Sequence, residues 1–228
     1  MPFAIAVGGV GKVWVRGRDS DIDTLRRIFL NRDYEIPAKA VRDRVLARYE
    51  AIIAAGKRPV IIDAGANIGG AAMWFALAYP EAIVVAVEPD PLTVAMLRRN
   101  VAHLRHVQVV PVALGGTAGQ VEVVPGHASD AMRTVRSESG LQVTTVADLI
   151  AAVPDGVPLI AKIDIEGFEV DLFAANTGWI EDFFAIFVEL HDWMLPGQRS
   201  SGTFQSAMAA HDGFEIFVKG ENLIYVRL

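Results

Sequence analysis

The sequence predicts an α/β fold, a mostly parallel sheet with helices on both faces. Three observations carry this expectation. From Pro59 onward, short apolar runs ("PVIID", "AIVVAV", "VQVVPVAL", "VPLIAKIDI", "FAIFVEL") take turns with helical patterns. The runs are continuous rather than alternating, so both faces of each strand are buried, as in a parallel sheet between two helical layers. The chain then closes on "FEIFVK" and "NLIYVRL" across Gly220-Glu221, an antiparallel pair.

The elements follow in order. "FAIAV" and "KVWVRG" flank Gly8-Gly9 and read as a hairpin. "SDIDTLRRIF" reads as a helix with Ser20 or Asp21 as its N-cap. "AKAVRDRVLARYEAIIAAG" places Val41, Val45, Tyr49 and Ile52 or Ile53 on one helical face, with Gly56 as its stop. After the strand "PVIID" comes the apolar helix "GAAMWFALAYP", and after "AIVVAV" comes "PLTVAMLRRN", with Asp90 as N-cap and Pro91 at the first helical position. "VQVVPVAL" reads as one strand. "QVEVV", "AMRTV" and "LQVTTV" read as short β pieces, "VADLIAAV", "EGFEVDLFAAN" and "TFQSAMAAH" as helices. Residues 1–56 are thus expected to form a hairpin and helical segment packed on a core of residues 57–228.

Composition narrows the function. A chain of 228 residues, 52% of them hydrophobic, can bury one sizeable core. A net charge of -6 argues against nucleic acid as a main partner. Cysteine is absent, which removes disulfides, thiolate catalysis and Cys-rich zinc sites. The five histidines show no HxxxH-type metal spacing, and the nearest pair, His103 and His106, is expected at the surface. "AAMWFALAYPEAIVVAV" is broken by Pro80-Glu81 into halves too short to span a bilayer. The first residues lack the features of a signal peptide, so no membrane partner and a cytoplasmic location are expected.

The local chemistry concentrates in three places. In "VIIDAGANIGG", Asp63 ends a strand, and Gly65 and Gly69 bracket a turn into a helix whose free N–H groups suit a polar ligand. About twenty residues on, Glu88 ends the next strand, where a carboxylate can accept both hydroxyls of a ribose; it could equally favour the following helix N-terminus. In "KIDIEGFE", Lys162, Asp164 and Glu166 share one strand face, a costly arrangement unless paired. Asp164 could also be an N-cap, and Glu169 fits as an ordinary acid in a helix first turn. A dinucleotide fingerprint would want a second glycine where Asn67 stands.

"VIIDAGANIGG", "AVEPDPLTVAMLRRN", "KIDIEGFE" and "FVELHD", in this order and spacing, resemble the FkbM family of methyltransferases, as does "DSDIDTLRRIFLNRDYEIP" near the N-terminus. The resemblance covers most of the chain; the middle region matches loosely. It implies a class I methyltransferase Rossmann-like fold, with a seven-stranded sheet whose last hairpin adds one antiparallel strand. It implies S-adenosylmethionine as cofactor, held by Asp63, Gly65, Ala66, Asn67, Gly69, Glu88 and Ala113. It further implies transfer to a hydroxyl of a small metabolite or glycan. Asp164 leads the catalytic candidates, followed by Glu166, His191 and Glu189, with roles undivided among them. The spacing does not demand a metal, although a carboxylate cluster leaves room for one. Trp193 and Met194 are expected in a packed loop, Tyr34 in the core or over the cofactor, and Arg26-Arg27 and Arg98-Arg99 on solvated helix faces. The competing readings are an NAD-dependent oxidoreductase, disfavoured by Asn67 and by the lack of a Tyr-x-x-x-Lys motif, and a non-catalytic nucleoside-binding domain.

Overall fold

The architecture is taken from a computed structural model, which describes residues 2–17, 19–125, 132–194, 197 and 199–228. Strands β1 (Phe3–Val7) and β2 (Gly11–Val15) form the expected hairpin, with Phe3 opposite Val15. Helix α1 (Asp19–Phe29) starts before Ser20, so neither Ser20 nor Asp21 is its N-cap. Asp21 is instead buried and binds Arg16. Helix α2 (Lys39–Ala54) buries Val41, Val45, Tyr49 and Ile52, the face read from the spacing.

The alternating part runs β3 (Arg58–Ala64), α3 (Gly70–Ala78), β4 (Ile83–Val87), α4 (Pro91–Val101) and β5 (Val107–Val110). Asp90 caps α4 as expected, its Oδ2 accepting the Thr93 N–H at 2.7 Å. "VQVVPVAL" is not one strand. β5 stops before Pro111, which has no N–H to give a ladder, and β6 (Ala113–Leu114) enters a second, four-stranded sheet with β7 (Gly119–Pro125), β8 (Met132–Ser137) and β9 (Leu141–Thr144). The chain returns through α5 (Val146–Ala151) and β10 (Gly156–Ile163). Helix α6 covers Glu169–Leu172, far less than "EGFEVDLFAAN" suggested, because Glu166 and Gly167 take left-handed backbone conformations at φ 56° and 90°. Then come β11 (Ala185–Glu189), α7 (Gly202–Ala209), β12 (Phe214–Lys219) and β13 (Asn222–Arg227).

The main sheet has seven strands in the order β12-β13-β11-β10-β3-β4-β5. β11, β10, β3, β4 and β5 pair in parallel, and β13 runs antiparallel to both its neighbours. The pleat sends Ile61, Val84, Ala86 and Phe187 to one face, against α2, α3, α4 and the N-terminal Val13, Val15 and Leu25. Val60, Ile62, Val85, Ile163 and Val188 go to the other, against Leu149, Phe183 and Phe204. Burial on both faces is why the strands read as unbroken apolar runs. Among the described residues no helix is long and apolar enough to cross a membrane.

One buried amide joins the N-terminal hairpin to this core. Asn100 on α4 accepts the Trp14 N–H at 2.7 Å and donates to Trp14 O at 2.9 Å and Ile68 O at 2.8 Å. Removing it strands a partly buried N–H and two carbonyls. Asn100→Ala is therefore expected to lower stability by about 2 kcal/mol or more, read as a lower urea midpoint at unchanged m-value. A loss below about 0.5 kcal/mol would mean that water replaces the amide.

Candidate active site

Every parallel strand of the main sheet ends on the same edge. The chain builds β3, β4 and β5 outward on one side and then crosses to lay β10 and β11 on the other. Between β3 and β10 the direction of strand addition reverses, and a crevice at such a switch point is where open α/β sheets take their ligands. The sequence places Asp63-to-Gly69, Glu88, Asp164-to-Glu166 and Glu189-to-His191 around that crevice.

The turn after β3 is shaped by close approach. Gly65 has φ 73°, and a Cβ on it would stand 1.7 Å from the Asp164 carbonyl oxygen. The missing side chain makes room for the backbone of Asp164, just past the end of β10. Asn67 also takes a left-handed conformation, φ 48°, which Asn tolerates better than most residues. Its N–H donates to Glu88 Oε2 at 3.0 Å, while Glu88 Oε1 accepts the Asp90 N–H at 3.0 Å. Glu88 is thus fixed at the rim with lone pairs to spare. Burial raises its pKa, and the two N–H groups work against that. The Asn67 side chain is held from the N-terminal segment: Arg16 Nη2 donates to its Oδ1 at 2.6 Å, and Arg16 also grips Asp21 and Thr93.

Lys162 stands beneath the crevice, 2% exposed. Its ammonium donates to Ala64 O at 3.1 Å and Gly65 O at 2.9 Å, and lies 3.2 Å from Asp63 Oδ1 and 3.4 Å from Asp164 Oδ2. Burial would lower its pKa, but Asp164 and Asp63 more than reverse this, and it stays charged. Asp63 is fully buried, and neither of its oxygens makes a hydrogen bond of good geometry. It leans on the charge of Lys162. It therefore sits under the turn, not in the crevice.

The far wall is a cluster of Asp164, Glu189 and His191. His191 Nδ1 meets Glu169 Oε1 at 3.0 Å, and its Nε2 lies 3.5 Å from Asp164 Oδ1 and 3.9 Å from Glu189 Oε1. Glu169 is 1% exposed and also accepts the Ile165 N–H at 2.9 Å. It is no ordinary helix-dipole acid but the group that sets the His191 ring. Burial lowers the imidazole pKa, yet the Glu169 bond and the surrounding carboxylates carry it up to about 9. Burial, the Asp164 charge and Glu221 push Glu189 up to about 8. Glu166 stands exposed at the rim.

Arg27 adjoins this wall, and the other residues weighed in the sequence fall as follows. Arg27 is not on a solvated face: Nε lies 3.2 Å from Asp33 and Nη2 3.4 Å from Glu189, with Nη1 on Glu221. Arg99 lies over the Trp14 ring, 3.2 Å from its centroid, while Arg26 is solvated as expected. Tyr34 is half-buried against Phe75 and Phe187. Burial raises its pKa, and the Lys162 and Asp164 charges act on it in opposite senses, which places the phenol beside the buried charges. Trp193 is 63% exposed, its ring centroid 6.2 Å from that of His191, so it is not packed. The side chain of Met194 and all of His127 lie outside the described residues. Ala113 is buried in the second sheet with Val121, Val143 and Phe168, and His106 is half-buried, near Ala76 O.

A sequence model of the methyltransferase FkbM domain matches residues 63–215, from Asp63 through the whole His191 cluster. The chain belongs to the FkbM methyltransferase family. Methyltransferase sdnD of Sordaria araneosa is 26% identical over 152 residues, covering 50% of this chain and 59% of that protein. The hexuronic acid methyltransferase AglP of Haloferax volcanii is 26% identical over 142 residues, covering 60% of this chain and 58% of its own. This FkbM chain thus spans less than two thirds of the length of either curated relative. A crystal structure of a methyltransferase from Geobacter sulfurreducens is similar over 94% of this chain and 93% of that one, at 15% identity and a TM-score of 0.42. Arg16, Arg27 and Tyr34 precede the matched region.

The His191 geometry fixes a sign. A pKa of about 9 exceeds the ordinary value, so stabilisation by the imidazolium is complete below about pH 6.5 and is lost as pH rises through 9. For Glu189 the raised value makes ionisation costly: the cost is absent below about pH 4.5 and full above 8. Both make stability fall with rising pH. NMR titration should find the His191 ring protonated at about pH 8, and Glu169→Gln should lower its pKa by at least about one unit. A ring neutral at pH 7 in the wild type would refute the assigned role of Glu169.

Proposed function

We propose that the chain is an S-adenosylmethionine-dependent O-methyltransferase whose acceptor is a hydroxyl of a sugar or other small metabolite. The observation that carries this is the pairing, across one switch-point crevice, of a rim carboxylate suited to ribose with a carboxylate–imidazole cluster suited to a hydroxyl.

The residues present fit the adenosine end. Glu88 has each oxygen anchored by one backbone N–H and keeps lone pairs for a ribose diol. The excess of carboxylates favours a cationic ligand. When bound, the cofactor supplies an electrophilic methyl group on a sulfonium. The chain's own work is then to hold the acceptor oxygen in line with that methyl and to take up its proton. Asp164, Glu189 and His191 surround the place where that oxygen would lie. Asp164, fixed by Lys162 and His191, orients the hydroxyl and receives its proton, since His191 and Glu189 already hold theirs near pH 7.

Two features favour a sugar. Trp193 offers an exposed flat ring beside a polar cluster, which suits the apolar C–H face and polar rim of a saccharide. AglP, one of the relatives, is named for a hexuronic acid. The net charge of -6 supports neither a nucleic acid acceptor nor an anionic membrane surface.

Calorimetry with S-adenosylmethionine, S-adenosylhomocysteine and NAD tests the cofactor. Binding of the first two is expected, and preference for NAD would sink the reading. Glu88→Ala should weaken the methyl donor about tenfold or more. Asp164→Asn should cut turnover about 100-fold in protein that still folds, with a lower melting temperature because Lys162 loses a partner; full activity in that variant would remove Asp164 from the reaction. Trp193→Ala should raise the KM for a saccharide acceptor several-fold at unchanged donor affinity. An unaltered KM across a saccharide panel would exclude the stacking role.

A further inference from the structure

We propose that Asp164, Glu189 and His191 form a binding site for one divalent cation of the Mn2+ or Mg2+ class. One ligand atom from each of the three residues can be chosen so that all lie within 4.8 Å of one another. An octahedral cation with metal–ligand bonds of about 2.1 Å separates its donors by about 3 to 4.2 Å. The measured separations from His191 Nε2, 3.5 Å to Asp164 and 3.9 Å to Glu189, lie in that range.

The buried imidazole distinguishes this cluster from an ordinary group of acids. His191 is 3% exposed, and its Nδ1 is taken by Glu169. Its Nε2 faces Asp164 and Glu189 and makes no hydrogen bond among the described residues. A metal-ligating histidine shows this arrangement: one nitrogen held by a carboxylate, the other aimed at the metal, which displaces the proton the ring carries in the unloaded cluster. Glu169 Oε2, also buried, has no hydrogen-bond partner among the described residues.

Charge points the same way. Asp63, Asp164, Glu166, Glu169 and Glu189 converge here, and among the described residues the permanent cations in contact with them are Lys162 and Arg27. Lys162 is committed to Asp63 and to the Ala64 and Gly65 carbonyls as well as to Asp164. Arg27 is shared among Asp33, Glu189 and Glu221. Two carboxylates and an imidazole, with no thiolate anywhere in the chain, are a hard-to-borderline donor set. Protein groups fill three positions, and the open ones face the place proposed for the acceptor. A bound cation would there ligate and acidify a hydroxyl. This chemical role rests on the methyl-transfer reading; the binding itself does not.

The test is titration of chelator-treated protein with Mn2+, followed by the electron paramagnetic resonance of the free ion, with S-adenosylhomocysteine binding measured in parallel. One saturable Mn2+ per chain is expected. Glu189→Gln and His191→Gln should weaken it at least tenfold while S-adenosylhomocysteine affinity holds. Glu169→Gln should weaken it about tenfold through the ring. Electron spin-echo modulation of the Mn2+-loaded wild type should show a directly bound imidazole nitrogen, a readout that needs no variant to fold. No saturable Mn2+ binding, binding unchanged in Glu189→Gln, or no nitrogen modulation would each overturn the site. S-adenosylhomocysteine binding without Mn2+ removes the cation site alone. Mn2+ binding without S-adenosylhomocysteine keeps the cation site and removes the methyl-transfer reading.

Discussion

The ammonium of Lys162 ties the site together. It is buried on β10, yet it reaches the end of β3, where it bonds the Ala64 and Gly65 carbonyls and faces Asp63. Just past the end of its own strand, which stops at Ile163 and so does not carry Asp164 and Glu166 as the sequence suggested, it faces Asp164. One charge thus ties the glycine turn to the cluster of Asp164, Glu189 and His191. The constraint runs in both directions. Without Lys162, the buried Asp63 would be an uncompensated charge, a cost of about 3–5 kcal/mol. Without Asp63 and Asp164, the ammonium could not remain charged in that position. Gly65 belongs to the same arrangement, because the two strand ends meet only where no Cβ intervenes.

The N-terminal segment takes part in the site as well as covering the core. Arg16 holds the Asn67 side chain and Thr93 while anchored on the buried Asp21. Arg27 reaches Glu189 and the β12–β13 turn together. Tyr34 lies against Phe75 and Phe187, above the buried charges. These residues precede the region that matches the FkbM domain. The crevice has a floor from the shared domain and walls partly from residues outside it.

What could be read from the sequence was local in origin. The parallel strands announced themselves because burial on both faces leaves no polar alternation. Asp90 with Pro91 and the face of α2 followed from periodicity and capping. The glycine turn and Glu88 were placed by spacing along adjacent strands. What could not be read depends on partners distant in sequence. Glu169 looks like any first-turn acid until β11 brings His191 beside it, and Arg27 looks solvated until Glu189 and Glu221 arrive. The spacing singles out Gly65 but does not reveal that the Asp164 backbone fills its vacant side. The break in "VQVVPVAL" did have a local sign, Pro111, and the apolar residues around it masked that sign.

The exit from β10 shows why the strand-end chemistry needs an irregular backbone. A helix starting directly at Glu166 would have followed the first-turn pattern and pointed Glu169 along its own axis. Instead Glu166 and Gly167 turn left-handed, which for a non-glycine residue costs of order 1–3 kcal/mol. The detour leaves Glu166 at the rim and delays the helix until Glu169. From there the Glu169 carboxylate reaches back to the Ile165 N–H and across to His191. Helix α6 is a single turn, too short to be held by its own hydrogen bonds. The bond to Ile165 and the contact with His191 therefore fix the turn as much as the turn fixes them. Strain in the backbone at Glu166 is balanced by a buried carboxylate–imidazole pair, and that pair aims the free nitrogen of His191 at the crevice.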